Sequence, residues 1–187
     1  MAFRIRNLDL EAGQAFQACE EAYQKHLESF EEHSHSNLWK YFATDFFHHG
    51  AIRSICFSPC LKSLVMQIEC PNIKRTIKDH FDYISMDFIC EFRGVRTFTL
   101  QNENPDLVDT IYADSSQFVG SEINTAIPQK INPEKIHSLT IEALEGNRRI
   151  WIDLLFSNMS VSPEEPTAYS ILESDSRFHI PTYTPSE

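Results

Sequence analysis

The stretch that decides the fold is "KIHSLTIEALEGNRRIWIDLLFS", residues 135–157. It contains two runs in which apolar and polar residues alternate, and a period of two is the pattern of a β-strand with one buried face. Between the runs lies Gly146-Asn147. Both residue types tolerate the positive φ that a two-residue hairpin turn requires. The stretch therefore predicts a β-hairpin that turns at residues 146 and 147.

The position of this turn also predicts the register of the hairpin. Counting outward from the turn gives one almost wholly apolar face, made of the pairs Ala143–Ile150, Ile141–Ile152, Leu139–Leu154 and His137–Phe156. The other face holds the pairs Leu144–Arg149, Glu142–Trp151, Thr140–Asp153 and Ser138–Leu155. A slip of one residue would move every apolar side chain to the other face. The turn and the alternation thus favour the same pairing.

Alternation also predicts strands on the N-terminal side of the hairpin. "SLVMQIEC" (63–70) alternates up to Pro71, where we expect the pairing to end because proline has no N–H to donate. "DYISMDFICEF" (82–92) alternates more clearly. Gly94 then marks a tight turn or a bulge before "VRTFTL" (95–100) resumes the pattern. Residues 51–58 and 107–113 are weaker strand candidates.

A helix is predicted before these strands, at about residues 9–32. Its apolar residues recur at spacings of three and four and form one stripe: Ala12, Phe16, Cys19, Tyr23, Leu27 and Phe30. A helix followed by strands without regular alternation is typical of an α+β protein. The predicted fold is a long N-terminal helix packed on an antiparallel sheet of about five to seven strands, with an irregular C-terminal tail.

The chain of 187 residues is predicted to form a single domain at residues 1–157 and a tail at 158–187. The tail is rich in proline, serine and glutamate, with prolines at 163, 166, 181 and 185. Such a composition provides little apolar surface for a core. We therefore expect a tail that is partly disordered or docked on the surface of the domain.

Composition and charge disfavour several classes of protein. The net charge is −11, so repulsion from phosphates disfavours nucleic acid as a partner. No apolar run approaches the roughly 20 residues of a membrane span. The five cysteines are an odd number and include no C-x-x-C, which favours reduced thiols. These features predict a soluble, acidic, cytoplasmic protein.

A cluster of histidines makes the stretch 31–50 the candidate metal site. His33 and His35 follow the predicted helix, and Asp45 precedes His48 and His49 at the spacings that share one side of a helical turn. Imidazole and carboxylate ligands suit zinc or another transition metal. However, adjacent histidines seldom point to one centre, and histidines at a helix C-terminus complement its dipole without a metal. A hydrogen-bonded polar seam is therefore the alternative to a metal site.

Common catalytic motifs are absent, which favours a protein without catalysis. If exposed, Trp39, Tyr41 and Trp151 would be anchors of the kind that dominate protein interfaces. We expect a small acidic interaction protein, with no cofactor, that holds a basic protein partner, as an immunity protein or an inhibitor does. One alternative is a metal-binding protein or metal-dependent enzyme that uses the cluster at 33–49. The other is a small-ligand carrier with a pocket on the apolar face of the sheet.

Overall fold

The computed structural model of the chain describes residues 14–30, 36–43, 46–77, 80–102, 116–126, 135–145, 148–164, 169–171 and 182–183. Its helices are α1 (Gln14–Phe30) and α2 (Ser36–Leu38), and α2 continues into a π-helical turn, Trp39–Ala43. The strands are β1 (Ala51–Ser58), β2 (Ser63–Ile77), β3 (His80–Arg93), β4 (Thr97–Asn102), β5 (Ser116–Ala126), β6 (Ile136–Glu145), β7 (Arg148–Phe156), β8 (Asn158–Pro163), β9 (Tyr169–Ile171) and β10 (Thr182–Tyr183). All their pairings are antiparallel.

The predicted α+β class is wrong, because strands dominate the described part of the chain. Ten strands accompany one α-helix longer than a single turn, and that helix has only 17 residues. The structure describes it over Gln14–Phe30, a shorter span than the long helix predicted at about 9–32. Helical periodicity indicates where a helix forms, but not how far strands extend by pairing with each other. The fold class is mostly β.

The prediction of an irregular C-terminal tail is wrong for the first residues of that tail. Asn158–Pro163 is strand β8, which alternates between buried and exposed side chains and pairs with β3 over its whole length. Its proline, Pro163, ends the strand and lies on the buried face. The proline- and serine-rich composition of residues 158–187 therefore did not indicate the strand that joins the sheet at its beginning. The division into a domain at 1–157 and a tail at 158–187 is otherwise a prediction.

The predicted hairpin register is confirmed in every pair. β6 pairs with β7 from His137–Phe156 to Glu145–Arg148, and all eight predicted pairs occur. The face predicted to be apolar is fully buried, including His137, which is 2% exposed. The turn residues Gly146 and Asn147 lie outside the described residues. The pairing on both sides of them nevertheless follows the register that a turn at 146 and 147 predicts.

The strand pairings form a closed circuit. β1 pairs with β2 and β2 with β3; on the other side, β1 pairs with β5, β5 with β6 and β6 with β7. The strands β3 and β4 follow each other along the chain, and so do β7 and β8. Because β3 pairs with β8 and β4 pairs with β7, these two segments run side by side and complete the circuit. The inward side chains thus share one core. β9 and β10 extend the sheet beside the far half of β2.

Gly94 and Ser157 lie at the corners where these two segments pass from one half of the sheet to the other. Gly94 has a φ of +63°, which only glycine adopts freely. The Ser157 N–H donates to the Arg93 carbonyl at 3.1 Å, and the Arg96 N–H donates to the Leu155 carbonyl at 2.7 Å. Gly94 therefore lies in a bend between β3 and β4, and the described pairings of these strands are with other strands, so the bend is not a hairpin turn.

The strand β2 does not end at Pro71 as predicted. It continues to Ile77, because the pairing with β3 shifts register between Cys70 and Ile73. Pro71 lies inside this irregularity and has no partner in the β2–β3 register. A proline in a bulge needs no N–H for the ladder. Periodicity in the sequence could not reveal such a local shift.

An aromatic plug, residues 38–43 and 46–47, fills one part of the core. Its buried side chains are Leu38, Tyr41, Phe42, Ala43, Phe46 and Phe47. The ring of Phe47 lies 5.9 Å from that of Phe88 and 6.0 Å from that of Phe118, centroid to centroid. Because these two rings belong to β3 and β5, the plug packs against both halves of the sheet.

The helix α1 packs on β5 through Tyr23, which is 1% exposed. The Ile123 N–H donates to Tyr23 Oη at 3.0 Å, and Tyr23 Oη donates to the Ser121 carbonyl at 3.5 Å. Leu27, four residues on, is also buried. The predicted stripe therefore faces the sheet at these two positions.

The four cysteines in the strands and turns are expected to differ sharply in reactivity. Burial raises the pKa of Cys70 and of Cys90, whereas Cys56 and Cys60 are exposed. Because the thiolate is the nucleophile, a raised pKa and a buried sulfur both slow alkylation. We expect iodoacetamide at mildly alkaline pH to label Cys56 and Cys60 in the folded protein and the buried pair only after unfolding. Peptide mass spectrometry measures the labelling, and equally fast labelling of Cys90 would contradict the buried placement.

Candidate functional site

The outward surface of β4, β7 and β6 is called the Trp151 face here. Its side chains form three rows across the strands: Gln101–Trp151–Glu142, Thr99–Asp153–Thr140 and Thr97–Leu155–Ser138. Trp151 is partly buried, and Leu155 is 37% exposed. The indole and the leucine therefore lie on one surface, separated by a polar row.

The carboxylates of the Trp151 face are engaged within the chain. Glu142 is 2% exposed, and its Oε1 lies 3.5 Å from Nε of Arg149. Thr140 Oγ1 donates to Asp153 Oδ1 at 2.7 Å. A buried carboxylate needs such a partner, because an isolated buried charge is costly. The face consequently presents an aromatic ring among neutral polar groups and compensated charges.

The indole N–H of Trp151 is buried and donates to no acceptor. A buried N–H without an acceptor costs about 1–3 kcal/mol, and the N–H of a buried tryptophan usually has a partner. The ring itself remains partly accessible. The accessible part of the indole ring, and not its covered N–H, is therefore what a partner would contact.

The outward surface of β1, β2, β3 and β8 is called the polar face. Four rows cross its strands: Ser58–Ser63–Arg93–Asn158, Cys56–Val65–Glu91–Ser160, Ser54–Gln67–Ile89–Ser162 and Ala51–Glu69–Asp87–Glu164. Glu164 is placed beside Asp87 in the fourth row by a backbone hydrogen bond, in which the Glu164 N–H donates to the Asp87 carbonyl at 2.8 Å.

The ion pairs of the polar face lie at its two ends along the strands, one pair near the first row and the other near the fourth. Arg93 donates to both carboxylate oxygens of Glu91, at 3.0 and 2.8 Å, and these bonds lower the pKa of Glu91. At the other end, Glu69 accepts hydrogen bonds from Arg53 and Ser85. The neighbouring Asp87 has a buried oxygen, Oδ1, that accepts no hydrogen bond.

Three of the five predicted metal ligands, His33, His35 and Asp45, lie outside the described residues. His48 and His49 are exposed, and their ring centroids are 3.8 Å apart. Among the residues whose placement is described, no three histidine, cysteine, aspartate or glutamate side chains are grouped to hold a metal ion. The zinc site therefore remains a prediction that depends on the other three residues.

The three predicted interaction residues are in different environments. Tyr41 is 5% exposed, with its ring 4.9 Å from that of Phe46, and Trp39 is partly buried against the core. Trp151 lies on the face that carries its name. Sequence reasoning missed the polar face, although the alternation of 63–70 and 82–92 already separates its residues from the core.

Comparisons of the chain with models of protein families, with curated proteins and with solved structures find no match. In the part of the chain that the structure describes, no helix is both long enough and apolar enough to span a membrane.

Proposed function

We propose that the chain is a protein-binding protein without catalysis and that the Trp151 face is its docking surface. The observation that carries the proposal is the partly accessible indole of Trp151, which lies on the outward side of β7 beside Gln101 and Glu142. A large rigid ring surrounded by neutral polar side chains is typical of the centre of an interface. Leu155 adds exposed apolar area on the same surface.

The charge of the chain supports a basic partner. A net charge of −11 attracts a basic protein over a distance of about 10 Å or less at physiological salt. Such steering accelerates association, while a desolvated anchor mainly slows dissociation. In this proposal the overall charge brings the partner to the surface and Trp151 holds it. Inhibition or neutralisation of a basic protein is the role that such an arrangement suits.

The carrier and metal alternatives gain no comparable support. The rings of Phe42, Phe47, Phe92 and Phe118 are fully buried, so they occupy core volume that a carrier would leave for its ligand. The metal alternative depends on residues whose placement is not described. We therefore propose neither of these functions.

Replacing Trp151 with alanine is expected to weaken binding of the partner by roughly 30-fold or more, the loss of a typical aromatic anchor. Proteins captured on the immobilised chain would be identified by quantitative mass spectrometry, purified and measured by calorimetry. Trp151→Phe should bind with intermediate affinity, because it keeps a six-membered aromatic ring but loses the pyrrole part of the indole together with its N–H.

Phe57→Ala is the matched control, because Phe57 is also a partly exposed aromatic strand residue but belongs to neither the Trp151 face nor the polar face. Each variant must first melt as the wild type does. Equal affinity of wild type, Trp151→Ala and Phe57→Ala for the purified partner would exclude the Trp151 face as the docking surface. A partner whose association rate is insensitive to salt would contradict the role of charge.

A further inference from the structure

The polar face has a charge gradient along its strands. Its first row contains Arg93, whose side chain is 65% exposed, and the adjacent turn contains the exposed Lys62. Its fourth row contains three carboxylates, of Glu69, Asp87 and Glu164. Arg53 pairs with one of them, Glu69. One end of the face is therefore cationic and the other end is anionic.

We infer that a second copy of this chain packs on the polar face, with its strands running in the opposite direction. The two copies are related by a two-fold axis that lies in the plane of the interface, perpendicular to the strands. This axis places the first row of one copy over the fourth row of the other, and the second row over the third. Arg93 of the second copy then lies over Asp87, and the same contact forms again by symmetry. An interface between identical surfaces must be self-complementary in this way.

The carboxylate of Asp87 makes this pairing favourable. Its Oδ1 accepts no hydrogen bond from the residues that the structure describes, so part of its charge is left without a compensating donor there. A guanidinium that approaches this row supplies that compensation, and it also remains close to its own Glu91. Like charges would face each other if the two copies packed with parallel strands, which disfavours that arrangement.

The middle rows provide the apolar centre of the interface. Val65 and Ile89 are partly buried and lie in the second and third rows, which the two-fold axis places over each other. Their neighbours in these rows are the uncharged Ser54, Cys56, Gln67, Ser160 and Ser162 and the carboxylate of Glu91, which is paired with Arg93. Stacked sheets of this kind tolerate a rotation of about 30° between their strands.

The area of the face sets the expected strength of the dimer. Four strands spaced about 4.8 Å apart and four outward rows about 6.8 Å apart cover roughly 400–500 Å² in each copy. Stable interfaces bury about 800 Å² in each partner, so this dimer is weak and forms at high protein concentration. Because the Trp151 face lies on other strands, a dimer would present two docking surfaces and bind a repeating partner with greater avidity.

Sedimentation equilibrium tests the inference on the full chain. At low salt, we expect the mean mass to rise from monomer toward dimer between about 20 μM and about 1 mM protein. A mass that stays monomeric throughout this range at low salt would overturn the inference.

Two charge variants identify the contact. Arg93→Glu alone and Asp87→Lys alone should each remain monomeric, because like charges then meet at both symmetric contacts. An equimolar mixture should dimerise as the wild type does, because Glu of one variant meets Lys of the other. Glu164→Lys, at an exposed position in the same row, replaces Asp87→Lys if that variant does not fold.

The outcomes are independent of the proposed function. Restored dimerisation in the mixture requires the geometry described, since a merely misfolded variant would not recover. Dimerisation of Arg93→Glu alone at wild-type strength would contradict this interface. Trp151→Ala should dimerise normally, so loss of partner binding and loss of self-association are separate results.

Discussion

Phe47→Ala is expected to lower the free energy of unfolding by about 3–5 kcal/mol, the usual loss for a fully buried phenylalanine. Phe47 is 0% exposed and its ring contacts those of Phe88 and Phe118. Removal of the ring therefore leaves a cavity where the aromatic plug meets strands from both halves of the sheet. Neither half can close this cavity without distorting its own pairing.

Phe57→Ala is the matched control for this experiment. It removes the same ring at a position that is 38% exposed, where the only described ring contact is with Phe98. We expect it to cost about 1 kcal/mol or less, because solvent fills the space. Urea unfolding followed by circular dichroism gives both values. Equal losses in the two variants would show that the plug does not support the core.

Gly94→Ala is expected to have the second largest effect on stability, a loss of about 2–3 kcal/mol. Alanine at a φ of +63° is strained by about 1–2 kcal/mol. A Cβ at this position would also lie 2.1 Å from Oγ of Ser157, so the serine side chain must move. The corner between β3 and β4 therefore requires glycine for two separate reasons.

A double-mutant cycle separates these two reasons. Ser157→Gly removes the side chain that meets the new Cβ, together with the hydrogen bond that Ser157 Oγ donates to the Arg93 carbonyl at 3.3 Å. In that background, Gly94→Ala should cost only the conformational part, about 1–2 kcal/mol. An unchanged cost would mean that the contact with Ser157 contributes nothing. A negligible cost in both backgrounds would contradict the positive φ.

The proposed function and the inferred dimer use different parts of the same closed sheet. β4, β6 and β7 carry the Trp151 face, while β1, β2, β3 and β8 carry the polar face. The corners at Gly94 and Ser157 pass the chain between these two sets of strands. The stability variants at the corner therefore also test whether the two surfaces depend on each other.

The candidate surfaces were only partly predictable from the sequence. Trp151 was assigned to the less apolar side of the hairpin because its neighbours alternate, and the structure places it there. Tyr41 could not be placed, because its burial depends on contacts with the rest of the plug. The charge gradient of the polar face was missed, since it becomes apparent only when β3 lies between β2 and β8.

What the sequence determined by itself is the pairing of neighbouring strands. The register of β6 and β7 follows from alternation and turn chemistry, which act within about 20 residues of each other. Only the tertiary structure decided the fold class and the closure of the sheet. At one corner of the closed sheet, Ser157 donates hydrogen bonds to the carbonyl of Arg93, 64 residues away in the chain. The alternation of apolar and polar residues does not predict this contact. Such contacts form because they complete a core that distant strands share. The local pattern of a strand does not indicate which distant strand will pair with it.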